Sequence, residues 1–193
     1  MPTYKRSNRK RQGGATLIEA LVSMLIMSFG MLGLAGMQLS ALGFQKSSWS
    51  THRVSEITGD FAERVRANPK AVDSDYQYAA TYAVGKAASP TRLGCRTSGT
   101  CTTTQIAGDD LADLLTKAQT SLPQGSIQIA GTLANGLVVT TMYLDKDFVD
   151  SAGAPQTSTT CSAASTGIDW RNCCPPEASA PAGVRCRRFT IIP

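Results

Sequence analysis

Residues 12–38 read QGGATLIEALVSMLIMSFGMLGLAGMQ, and one carboxylate, Glu19, stands near the start of an otherwise apolar run. From Ala20 to Gln45 no side chain is charged, a run of 26 residues. About 20 residues of helix suffice to cross a bilayer core. Acidic side chains inside such helices are rare and cost on the order of 2.5–3.5 kcal/mol on insertion scales. A partner or a function has to account for Glu19.

The charge pattern around this run gives it a direction. The 193-residue chain carries a formal net charge of +5, but Lys5, Arg6, Arg9, Lys10 and Arg11 all precede the run. Without them the rest balances at 14 basic and 14 acidic residues. The basic character therefore belongs to the leader, and the remainder shows no nucleic-acid footprint. A basic cluster ahead of an apolar helix predicts a cytoplasmic Met1 and an exported C-terminal region. All six cysteines, Cys95, Cys101, Cys161, Cys173, Cys174 and Cys186, follow the run. An even count confined to an exported region predicts disulfides. No CxxC is present and the one histidine, His52, is far from every cysteine in sequence, so no metal site or cofactor is expected.

Three readings of the N-terminus compete. A secretory signal has an apolar stretch of about 7–15 residues and a small-residue cleavage site; here the run is longer and no A-x-A pattern closes it. An uncleaved anchor fits the length but leaves Glu19 unpaired. A cut after Gly14 makes Ala15 a new α-ammonium, largely cationic at neutral pH with a pKa of about 7.7–8, and so creates the missing counter-ion. A cut after Gly13 puts Glu19 one residue too far along.

The basic leader, Gly14, the residues ATLIE and the apolar helix resemble the class III signal of type IV pilins and their relatives. The resemblance implies a prepilin peptidase that cleaves after Gly14 and methylates Ala15. It makes Glu19 the assembly glutamate that pairs with the N-terminus of a neighbouring subunit, although its own Ala15 ammonium is also within helical reach. Ala15 departs from the Phe or Met common at that place. Gly30, Gly33 and Gly36 allow either close helix packing or local loosening, at about 1 kcal/mol each relative to Ala.

Beyond Lys46 the pattern becomes amphipathic. Val54, Ile57, Phe61 and Val65 form one stripe, predicting contact with a core, while Asp60, Glu63, Arg64 and Arg66 are expected to be solvated. Pro69 disfavours the helical conformation at Asn68 and ends the helix. FAERVRANP and the tyrosines of DYQYAATY, with the N-terminal segment, resemble the PilV minor pilins, the type IV pilus modification proteins, over residues 10–82.

The head is read from its own residues. GDDLADLLTKAQTSLPQG predicts a helix from about Asp110 to Ser121, stopped by Pro123 and Gly125. SIQIAGTLANGLVVTTMYLD predicts two strands joined at Asn135-Gly136, and VRCRRFTII a last strand. Cys95 and Cys101 suit a local bridge. Cys161 and Cys186 tie the last loop through Cys173 and Cys174, which do not bond each other. Trp170 and Arg171 either form a contact surface or cover the sheet. Asp145, Asp147 and Asp150 in DKDFVD lack the Gly and Glu of a calcium loop and read as a solvated turn.

The expected fold is α+β: a long N-terminal helix on a small antiparallel sheet, with a disulfide-stapled C-terminal loop. Residues 1–14 form a cleaved leader, 15–68 the helix with its first half in the membrane, and 69–193 the exported head. The expected function is a minor pilin of the inner membrane, its head in the periplasm or on an extracellular pilus. Its partners are other minor and major pilins and the prepilin peptidase. A type II secretion pseudopilin and a membrane-anchored binding or adhesive module are the alternatives. Catalysis is not expected, since no G-x-S-x-G or metal set is present.

Overall fold

The structure, a computed structural model, describes residues 16–193. Helix α1 (Leu17–Ala67) is followed by short helices α2 (Asp73–Tyr76), α3 (Tyr82–Ala87) and α4 (Cys95–Ser98), then by α5 (Thr103–Ser121). Strands β1 (Ser126–Thr132) and β2 (Gly136–Leu144), helix α6 (Gly167–Asn172), a single 3-10 turn (Pro176–Ala178) and strand β3 (Val184–Ile191) complete the order. The chain divides into two compact units, one ending at Phe44 and one starting at Gln45. In the first, residues 16–42 of the chain are all exposed.

The second unit is the head. The predicted stripe is buried as expected: Val54, Ile57, Phe61 and Val65 are at most 4% exposed. They share one core with Leu114, Leu115 and Ala118 of α5 and with Ile127, Ile129, Leu137, Val139, Tyr143 and Ile191 of the sheet. Side chains alternate across a strand, so β1 and β2 each give every second residue to this core. The sheet is antiparallel in the order β1-β2-β3, with Gln128 opposite Thr140 and Thr140 opposite Arg188. Its other face carries a smaller cluster of Tyr82, Met142, Cys174, Ala178, Val184 and Cys186. The β1–β2 turn is Leu133–Asn135, and Gly136 opens β2 at φ +102°, a conformation that favours glycine.

Two expectations need correction. Helix α5 begins at Thr103, not near Asp110, because Thr102 and Gln105 form a capping box. The Thr102 Oγ1 accepts from the Gln105 N–H at 3.3 Å, and Gln105 Oε1 accepts from the Thr102 N–H at 2.9 Å. At its far end only glycine fits position 125, where a Cβ would lie 1.9 Å from the Ala118 carbonyl oxygen.

The second correction concerns Arg64, which is half-buried and paired rather than solvated, its side chain 10% exposed. It pairs with Asp60 at 2.7 Å, with Asp113 at 2.5 Å and with Asp110 at 3.5 Å. Lys117 bridges Asp60 and Asp113 at 2.7 and 2.8 Å, and Arg92 reaches Asp113 at 2.5 Å. Burial pushes the Asp60 carboxyl up, but hydrogen bonds from Arg64 and Lys117 outweigh it and hold the group below its usual value. At Asp110 burial wins over Tyr76 and Arg64, and its carboxyl is raised.

The end of α1 is joined to α5 through polar groups. Asn68 Nδ2 donates to Tyr76 Oη at 3.2 Å and to the Thr103 carbonyl at 2.9 Å. Tyr76 Oη donates to Asp110 Oδ2 at 3.2 Å, and its ring meets Phe61 edge to face at 5.8 Å. Tyr76 is fully buried, and burial above all pushes its hydroxyl up to about 12.

A raised folded-state pKa on an acid that is neutral when protonated means that the unfolded chain ionises first. Stability is therefore level below about pH 10 and falls towards pH 12, by about 1.4 kcal/mol per unit from this group. Tyr78 and Tyr82, also raised by burial, add in the same direction. Urea midpoints of the wild type and Tyr76→Phe between pH 8 and 12 test this. The variant is expected to show the shallower alkaline fall, and equal slopes would contradict it.

Candidate functional site

Glu19 lies in the first turn of α1, where the unsatisfied N–H groups and the helix dipole favour a negative charge. The backbone there is closed by Thr16, whose carbonyl accepts from the N–H of Glu19 at 3.0 Å and of Ala20 at 3.2 Å. The exposed Glu19 carboxylate has no hydrogen bond or ion pair among the described residues. Gly14 and Ala15, the predicted cleavage and methylation residues, lie outside the described residues.

Around and beyond Glu19 the helix offers apolar surface on every side. Leu17, Ile18, Leu21, Met24, Phe29 and Leu32 are each at least 66% exposed. The polar side chains in this stretch are turned back on the backbone. Ser23 Oγ donates to the Glu19 carbonyl at 2.7 Å and Ser28 Oγ to the Met24 carbonyl at 2.8 Å, so these hydroxyl donors are satisfied without water. The helix is long and apolar enough to cross a membrane. A Cβ at Gly30, Gly33 or Gly36 would meet nothing within 4 Å, so contacts inside the chain do not explain the glycines.

The cysteines form three bridges: Cys95–Cys101, Cys161–Cys173 and Cys174–Cys186. The first closes a loop just before α5. The other two meet at the Cys173-Cys174 peptide bond and attach the C-terminal region to β3 at Cys186. The loop closed by Cys161–Cys173 holds α6, whose Trp170 ring is covered by the Arg188 guanidinium at 4.4 Å. Trp170 thus packs on a strand residue of the sheet.

DKDFVD is not simply a solvated turn. Asp145 is 8% exposed and forms an ion pair with Arg185 at 2.8 Å, and Arg185 stacks over Phe148. Asp150 Oδ1 accepts from the N–H groups of Ala152 and Ala154, both at 2.9 Å. These carboxylates hold turns. Among the described residues no group of three His, Cys, Asp or Glu is arranged to hold a metal, and His52 is exposed on α1.

Sequence reading missed the Arg64 cluster, the Tyr76 relay and Arg188. The first was visible in part: Asp60 and Arg64 stand four apart on one helix face, as do Asp113 and Lys117.

Comparison with known protein families gives two adjoining matches. Residues 9–35 match the prokaryotic N-terminal methylation motif. Residues 36–112 match the family described as type IV pilin Tt1218. No curated protein matches the chain, and no solved structure does. The methylation motif covers the end of the leader and the first part of the apolar helix, and the pilin match runs from within α1 to the middle of α5: over residues 9–112 the chain is similar to type IV pilins, and its α+β fold is pilin-like.

Proposed function

We propose that this chain is a minor pilin of the PilV type, one that takes part in initiating or modifying a type IV pilus rather than in catalysis. In this reading the prepilin peptidase cuts after Gly14 and methylates Ala15. The helix then sits in the inner membrane with the head in the periplasm, and it enters the filament by packing against the helices of other minor and major pilins. Glu19 sets the register by pairing with the Ala15 amine of a neighbour. The supporting observation is a helical stretch exposed and apolar on every side whose one carboxylate has no described partner. Unpaired in lipid, that charge is costly; a neighbour's ammonium at the same depth offsets the cost.

The test is the N-terminal mass of the protein recovered from its native membrane and from the sheared surface fraction. A chain starting at methylated Ala15 is expected in both. A chain starting at Met1, or cut after the apolar run, would overturn the reading.

A further inference from the structure

The sheet face opposite the main core carries a donor-rich row that the pilin reading does not use. Gln128, Thr140 and Arg188 stand side by side across β1, β2 and β3. Neighbouring strands lie about 4.8 Å apart, so the two outer residues straddle Thr140 at a span suited to one small ligand. All three line a groove of about 280 Å³, walled by Ala79 on one side and by Pro175 and Pro176 on another.

Two of its donor side chains have no oxygen acceptor among the described residues. Gln128 is 6% exposed, and its side chain makes no hydrogen bond among the described residues. Among the half-buried and buried arginines, Arg53, Arg64 and Arg185 meet carboxylates and Arg187 meets the Asn172 amide oxygen. Arg188 differs. Its Nη1 points at the sulfurs of Cys161 and Cys173, at 3.0 and 3.3 Å, which are weak acceptors. Its Nε is buried without a hydrogen bond, as are those of Arg53, Arg185 and Arg187, so the missing oxygen acceptor at the guanidinium tip is what sets Arg188 apart. Trp170 covers one face of the guanidinium, and burial disfavours its charge, an effect that the field of Glu177 opposes. Glu177 lies exposed on the rim of the groove and forms no ion pair with it.

A half-buried guanidinium without a counter-ion, across Thr140 from an unused amide, is complementary to a carboxylate, which accepts several hydrogen bonds from such a planar fork. We propose that the Gln128–Thr140–Arg188 row is a carboxylate-binding site, taking an acidic side chain of a partner protein or a small organic acid, with Arg188 as its anchor and Gln128 as a second donor. Stacking on Trp170 and the Cys161–Cys173 bridge fix the guanidinium before the ligand arrives, which lowers the ordering cost of binding.

The experiment uses the full chain in detergent micelles at pH 7, labelled with ¹⁵N in arginine and glutamine side chains. Three probes are titrated: acetate, the peptide N-acetyl-Ala-Glu-Ala-amide, and the same peptide with Gln for Glu. The Arg188 Nε–H and Gln128 amide signals are expected to shift saturably with both carboxylates and not with the neutral peptide. Tighter binding of the acidic peptide than of acetate assigns the site to a protein partner, and equal binding assigns it to small acids; both support the proposal. Arg188→Lys and Gln128→Ala should each weaken binding by about tenfold, and Glu177→Gln should strengthen it. Because the wild-type titration needs no variant to fold, the proposal stays testable if a substitution misfolds. No saturable shift with either carboxylate at about 50 mM, or an equal shift with the neutral peptide, overturns it.

Discussion

Replacing Glu19 by alanine is expected to leave the N-terminus processed as in the wild type and to remove the chain from filaments. The carboxylate stands in the first turn of α1, exposed and without a described partner, so its loss should disturb nothing inside the subunit. Head stability, read as the urea midpoint of the full chain in detergent, should be unchanged. The share of the protein in the sheared filament fraction should fall by about tenfold or more, since about 1.4 kcal/mol of lost pairing is enough for that. Glu19→Asp, which keeps the charge on a shorter arm, should give an intermediate level. Normal incorporation of Glu19→Ala would show that the carboxylate does not set the register. A loss of processing would instead assign Glu19 to recognition by the peptidase.

Arg64→Met is the substitution expected to cost the head most. It removes the cation that meets Asp60, Asp110 and Asp113, two of which are only 9% exposed. Breaking a buried pair from one side costs about 3–5 kcal/mol, because the remaining charge is left uncompensated. Lys117 and Arg92 still reach Asp113, so Asp110 is the carboxylate most affected, and it is already raised by burial. The charge, not the contact area, should dominate. Arg64→Met combined with Asp110→Asn should therefore recover part of the loss, and Arg64→Lys should be milder than Arg64→Met. Urea unfolding of the four proteins at pH 7 checks this; a loss under about 1 kcal/mol for Arg64→Met would contradict it.

Arg64 also shows where sequence reading stops. The apolar stripe of α1 was legible because four residues repeat at helical spacing, and each of them is buried. Arg64 lies off that stripe and read as solvent-facing, since nothing in α1 announces a second helix against that side. That helix, α5, was itself read too short. Its capping box, Thr102 and Gln105, sits in the threonine-rich sequence CTTTQ, which resembles a loop by composition. With the start placed near Asp110, the acidic residues looked like first-turn charges; with the start at Thr103, Asp110 and Asp113 come from the middle of the helix and meet Arg64.

The strands were legible from their β-branched residues and the Asn135-Gly136 turn, although Gly136 belongs to β2 itself. Helices α2, α3, α4 and α6 have four to six residues, too few to show a period. The row of Gln128, Thr140 and Arg188 was invisible for another reason. Gln128, Thr140 and Arg188 are far apart in sequence, and only the register of three strands makes them neighbours.

The two bridges that share the Cys173-Cys174 peptide bond have a mechanical consequence. Between Cys161 and Cys186 the backbone follows a long excursion through α6, but the covalent route crosses two disulfides and one peptide. With Cα separations of 4.9 and 5.2 Å across the bridges and 3.8 Å across the peptide, that route spans about 14 Å at most. A pull entering the head at residue 161 is therefore carried by sulfur bonds into β3, and the intervening loop cannot pay out as slack. Under tension this part of the head behaves as a short tether with almost no hidden length, and only reduction would release the rest.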